Sequence, residues 1–171
     1  ARYVPAEPNF PVGRIRYMME EANVDFIITE KENENKLKGF PLRLIDCEIC
    51  GAETPAAKEP HDCAPETPAY ALYTSGTTGR PKGVCVSNRN VCHYARAFEH
   101  EFHLSVGDII LQYSVCSFDI FVEEAFAGLL NGAALATPSE VDNSDINSLM
   151  EFNELRLVTH VTGSPFLSAD K

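Results

Sequence analysis

Apolar residues recur along this chain in two rhythms, one helical and one extended. Ile15, Met18, Met19 and Ala22 fall at helical spacing behind Pro11, a residue suited to a first helical turn, so residues 11–22 are predicted to form an amphipathic helix. Val24–Thr29 reads as a buried strand, residues 30–39 as a charged surface connection, and Leu42–Cys47 as a second strand. Residues 51–68 carry prolines among small and charged residues and read as an irregular loop. Two apolar runs, Ala69–Tyr73 and Val84–Val86, are short enough to be strands. Ser87 is placed to cap a helix whose inner face is Val91, Ala95, Phe98 and Phe102. Then come a strand at Ile109–Tyr113, a helix at Asp119–Leu130, a short strand at Ala133–Ala136, a helix at Asp142–Leu155 with Ile146, Leu149, Met150 and Asn153 in period, and a closing strand at Leu157–Val161. Strands alternating with helices predict an α/β fold, a largely parallel sheet with helices on its faces.

Composition narrows the partners. The 171 residues are 44% hydrophobic with a formal net charge of −11, enough length for a core and the wrong sign for nucleic acid or an anionic membrane. No apolar run approaches the roughly 20 residues that span a bilayer. Six cysteines without a secretory cue predict reduced thiols and a cytoplasmic setting.

The densest chemistry lies between the two short apolar runs. Residues 73–83 read Tyr-Thr-Ser-Gly-Thr-Thr-Gly-Arg-Pro-Lys-Gly. Gly76, Gly79 and Gly83 let backbone N–H groups approach a ligand; Thr74, Ser75, Thr77 and Thr78 add hydroxyl donors; Lys82 adds a mobile positive charge. That combination suits a polyphosphate. It is not a Walker loop, because Pro81 follows Gly79 where a helix would have to begin.

This string resembles the phosphate-binding signature of the AMP-forming adenylate superfamily, which includes acyl-CoA synthetases, luciferases and the adenylation domains of nonribosomal peptide synthetases. Two further stretches resemble the last group. Tyr3-Val4-Pro5-Ala6-Glu7-Pro8-Asn9-Phe10-Pro11, followed by Arg14-Ile15-Arg16-Tyr17-Met18, is similar to a segment early in those domains, departing mildly at Ala6 and Glu7. Ser117-Phe118-Asp119-Ile120-Phe121-Val122-Glu123-Glu124-Ala125-Phe126 is similar to the segment in which an Asp after Phe holds the substrate's α-ammonium group. The resemblance covers nearly the whole chain, with a gap around residues 30–66.

The resemblance implies that residues 1–171 are part of one adenylation domain, truncated at both ends and inactive alone. They would belong to its large N-terminal part. The intact enzyme would use ATP with Mg2+ to turn an amino acid into an aminoacyl-adenylate. It would then pass the acyl group to the phosphopantetheine thiol of a carrier domain, beside a condensation domain. Thr74, Ser75, Gly76, Thr77, Thr78, Gly79 and Lys82 would hold the β- and γ-phosphates. Asp119, Ile120, Glu123 and Thr162 would line the amino-acid pocket, with no catalytic residue assigned within the chain. A carboxylate in a pocket costs desolvation unless paired, so Glu123 in the pocket would favour a basic substrate such as ornithine or lysine; the alternative is that Glu123 faces solvent or pairs locally, with Glu124 as its equally acidic neighbour.

Two other readings stand beside this one. An acyl- or aryl-CoA ligase of the same superfamily would leave Asp119 as a helix cap. A noncatalytic module would use Cys47, Cys50, His61 and Cys63 for zinc, although a single CxxC with an irregular His-x-Cys is a soft signal and no metal site is assigned. Cys85, Cys92 and Cys116 read as small core hydrophobes, and His93, His100 and His103 as solvated helix residues.

Overall fold

The computed structural model describes residues 2–47, 63–75, 79–139 and 145–162. It divides into two compact units, Ala1–Val86 and Ser87–Lys171.

In the first unit, α1 (Val12–Glu21) buries Ile15, Met18 and Met19, the stripe that its helical spacing predicts. Strands β1 (Phe26–Thr29) and β2 (Arg43–Asp46) pair in parallel, with Phe26 opposite Arg43 and Thr29 opposite Asp46. The connection between them is helical: a 3-10 turn at Lys31–Asn33 runs into α2 (Glu34–Leu37). Leu37 turns inward and joins the core of Ile15, Met18, Met19, Ala22 and Tyr73. Strands β3 (Pro68–Thr74) and β4 (Lys82–Ser87) pair with each other. Tyr3 adds a parallel bridge to Tyr70 of β3.

The second unit is layered. Parallel strands β5 (Ile109–Leu111) and β6 (Ala134–Ala136) form its centre. One core joins Ile110 to Phe98, Leu104, Ala127 and Ala133, and so to helices α3 (Asn88–Phe102) and α4 (residues 119–130). Another joins Leu111 and Ala136 to Leu149 and Phe152 of α5 (Ile146–Leu155). Helix α4 opens as Asp119–Val122, winds as a π-helical turn over Glu123–Ala127 and closes with Gly128–Leu130. The Asn131 amide donates to the Ala95 and Ala127 carbonyls at 2.9 and 2.8 Å, tying the end of α4 to α3.

The α/β class stands, with several local corrections. Ser87 caps α3 as expected, its hydroxyl accepting the Asn90 N–H at 3.3 Å. Phe102, however, is 51% exposed and lies off the buried stripe. Helix α5 turns Leu149 inward as read from the sequence, but with Phe152 beside it, while Ile146 and Met150 stay exposed. Its described cap is Asp145, whose carboxylate accepts the Asn147 and Ser148 N–H groups; residues 142–144 of the predicted helix lie outside the described residues.

The predicted strand at Leu157–Val161 is a single bridge from His160 to Ile110. Leu157 takes a left-handed φ of 55° just past α5, and the Thr159 hydroxyl, rather than a backbone carbonyl, accepts the Ile109 N–H at 3.0 Å. Cys85 and Cys92 are exposed and Cys116 is half-buried, so none is a core hydrophobe; Cys85 lies on outward-facing β4, and Cys92 neighbours buried Val91 on the solvated side of α3.

Candidate functional site

The predicted site residues fall in both units. In the first, β3 buries Tyr70, Ala71, Leu72 and Tyr73 and then emerges, leaving Thr74 and Ser75 exposed. Gly76, Thr77 and Thr78 lie outside the described residues. The chain re-enters at Gly79, whose φ of 81° is a conformation that side chains with a Cβ rarely adopt. Lys82 begins β4 with its side chain in solvent.

The neck of this loop is narrow. A Cβ on Gly83 would sit 3.0 Å from Cζ of Tyr73 and 3.2 Å from a Glu21 carboxylate oxygen, so a larger residue there would make both side chains give by a few tenths of an ångström. The Tyr73 hydroxyl donates to the Glu21 carboxylate. Burial and that carboxylate push the Tyr73 hydroxyl well above the usual tyrosine range and keep it a donor. Thr74, Ser75 and Lys82 therefore stand at the two rims of a loop anchored on α1. A hollow of about 680 Å³ in the same unit is walled by α1 and β1, with Ile15, Met19 and Ile27 in its lining.

In the second unit, β5 leads through residues 112–118 into α4. Phe118 takes the capping position with an extended backbone and no side-chain capping bond. Asp119 is the first helical residue; it is exposed, and its carboxylate accepts the Ile120 N–H at 3.0 Å. A carboxylate in the first turn of a helix lies next to N–H groups that have no partner within the helix. Ile120 is half-buried beside it. Glu123 accepts the Tyr94 hydroxyl from α3.

Thr162 comes two residues after the His160 bridge. That bridge runs parallel to β5, and the Leu111 N–H donates to the His160 carbonyl at 3.0 Å. Thr162 therefore leaves toward the carboxyl end of β5, the end from which residues 112–118 run to Asp119. Ligands of open parallel sheets bind outside that end of the strands. The Thr162 hydroxyl oxygen is buried without a hydrogen-bond partner among the described residues.

At the opposite end of β5, Asp108 accepts from the Ser105 hydroxyl and N–H at 2.8 and 2.7 Å, and His160 Nδ1 lies 3.6 Å away. The Ser105 bonds, with smaller help from Thr159 and His160, hold the Asp108 carboxyl below the usual carboxylate range.

One buried group had no prediction attached. Glu124 is fully buried, and its carboxylate accepts the Tyr113 N–H at 3.2 Å, the Ser114 N–H at 3.0 Å and the Ser114 hydroxyl at 2.8 Å. Burial pushes its pKa up, and these donors oppose that shift. As sequence, it is indistinguishable from its neighbour Glu123.

Among the described residues no cluster of His, Cys, Asp and Glu could hold a metal ion. Cys47 and Cys63 are described as free and exposed, and Cys50 and His61 lie outside the described residues. No described helix is long and apolar enough to cross a membrane.

Residues 1–169 match the AMP-binding enzyme family, and the chain belongs to it. It is 34% identical over 168 residues to bacitracin synthase 2 of Bacillus licheniformis, covering 96% of this chain and 6% of that protein. Tyrocidine synthase 3 of Brevibacillus parabrevis is 32% identical, with 96% and 3% covered. The fold matches the nonribosomal peptide synthetase FmoA3, solved with α-methyl-L-serine-AMP bound, at a TM-score of 0.86 and 25% identity over 98% of this chain and 19% of that one. The N-terminal subdomain of Klebsiella oxytoca NpsA matches at 0.80 and 25%, with 98% and 43% covered. The chain thus spans only a small share of the curated relatives it matches.

Proposed function

We propose that residues 1–171 form part of an amino-acid adenylation domain of a nonribosomal peptide synthetase. In this reading a carboxylate oxygen of the amino acid attacks the α-phosphorus of ATP, pyrophosphate leaves, and an aminoacyl-adenylate remains. The acyl group then passes to a carrier domain's phosphopantetheine thiol, in a polypeptide that also carries a condensation domain. Mg2+ enters as the companion of ATP.

The protein's part in such a transfer is positioning and charge stabilisation more than covalent chemistry. Thr74, Ser75 and Lys82, with Gly76, Thr77, Thr78 and Gly79 between them, hold the β- and γ-phosphates, and Lys82 offsets the charge that builds on the leaving pyrophosphate. Asp119 pairs with the α-ammonium group, and Ile120 and Thr162 line the pocket. Glu123, whose described partner is the Tyr94 hydroxyl and not a cationic side chain, would face the substrate side chain. This favours ornithine or lysine.

The observation that carries the reading is Asp119, exposed on the first turn of α4 at the carboxyl end of β5, in a chain of the AMP-binding family. The test is amino-acid-dependent ATP–pyrophosphate exchange by the native polypeptide containing these residues and by its Asp119→Ala variant. Exchange that needs both the amino acid and Asp119 supports the reading; exchange indifferent to Asp119 removes it.

A further inference from the structure

Glu124 sits where the function just proposed gives it nothing to do. Its carboxylate is fully buried, and such a group is retained against its desolvation cost only when its acceptors are filled. They are filled by the backbone of Tyr113 and by the backbone and hydroxyl of Ser114. All of these lie just past β5, whereas Glu124 lies on α4.

The π-helical turn over Glu123–Ala127 accommodates one extra residue in the helix and aims Glu124 inward while Glu123 reaches Tyr94. The segment between is closed on itself as well. The Gln112 side-chain amide donates to the Ser114 carbonyl at 2.7 Å, and the Phe118 N–H to the Val115 carbonyl at 3.0 Å.

We propose that Glu124 is a positioning residue: it clasps the start of α4 to the end of β5 and thereby fixes where Asp119 presents its carboxylate. Asp119 makes no described side-chain hydrogen bond beyond the adjacent Ile120 N–H, so its place follows from the backbone that carries it. A loop pinned at Tyr113 and Ser114 by one buried anion holds that backbone in a single arrangement before substrate binds, and reactions of this kind lose rate steeply when a positioned group shifts by about 1 Å. The role of Asp119 in this inference rests on the adenylation reading; the clasp itself does not.

The test uses Glu124→Gln, nearly isosteric but able to accept at only one oxygen, and Ser114→Ala, which keeps the carboxylate. Both are made in the native polypeptide. In pyrophosphate exchange, Glu124→Gln is expected to raise the KM for the amino acid about tenfold while the KM for ATP moves less than about twofold, with Ser114→Ala showing a smaller change of the same kind. Equal loss on both substrates, or unchanged KM values with a lowered Tm, would overturn the positioning role.

Amide hydrogen exchange reads the clasp without any activity. Faster exchange confined to residues 113–119 is expected in Glu124→Gln. No change, or uniform acceleration through α3 and β5, would overturn the clasp. If the unmodified enzyme uses no amino acid, the adenylation reading fails, and hydrogen exchange still decides whether Glu124 holds this segment.

Discussion

The phosphate loop and the Asp119 segment place their functional groups by opposite means. The loop is held by shape. Tyr73 and Gly83 meet closely at its neck, where a Cβ would sit 3.0 Å from the Tyr73 ring, and strand pairing fixes both rims. The Asp119 segment is held by charge: a fully buried carboxylate gathers the backbone on which the exposed carboxylate rides. Shape is written into local sequence, because glycine, proline and hydroxyl residues carry their conformational meaning wherever they stand. A buried charge is written only in the packed structure, because its meaning depends on donors ten residues away.

Substitutions bear on this contrast unequally. Asp119→Ala removes one partner of the proposed ammonium–carboxylate pair and is expected to lower kcat/KM for the amino acid by about 10²–10³-fold, with the ATP KM nearly unchanged. Steady-state exchange at varied amino acid checks it. Lys82→Ala acts on the other region: about a hundredfold loss of kcat, with amino-acid binding retained, is expected from losing one charged donor to the pyrophosphate. Gly83→Ala leaves every proposed ligand contact in place but forces a Cβ against the Tyr73 ring. It should cost about 1–3 kcal/mol of stability, read from denaturant unfolding. An unchanged midpoint would mean that the neck is not tight.

The sequence was informative where side chains act locally. The stripe of α1, the strands flanking the loop, the Ser87 cap and the helix after Phe118 all follow from spacing and capping chemistry. It was less informative where tertiary contacts decide. Residues 30–39 look like a polar connection, yet burial of Leu37 makes a helical turn of them. Leu157–Val161 has strand composition, but the left-handed Leu157 and the Thr159 hydroxyl that takes the Ile109 N–H leave only one bridge. Glu123 and Glu124 are identical letters, and the π-helical turn separates them into a half-exposed carboxylate against Tyr94 and a buried one against Ser114.

Titration gives the smallest effect and the most specific one. Glu124 has its pKa raised in the folded state, so relative to Glu124→Gln the unmodified protein should gain stability as pH falls from above that raised value toward the ordinary glutamate value. Asp108 has its pKa lowered by Ser105, so its contribution is present at neutral pH and is lost as pH falls through the lowered value. Relative to Asp108→Asn, the unmodified protein should therefore lose stability in acid. Opposite slopes in the two comparisons, measured by unfolding at several pH values, are the expected result. Slopes of the same sign would contradict the assignment of one carboxylate as buried and the other as held by exposed donors.

The most direct measurement is ATP–pyrophosphate exchange by the native polypeptide, screened over the common amino acids with ornithine added. The account predicts exchange that depends on an amino acid, strongest with a basic one. Exchange with aryl or fatty acids and none with amino acids would contradict it, leaving Asp119 as a helix-terminal carboxylate and placing the chain with the CoA ligases.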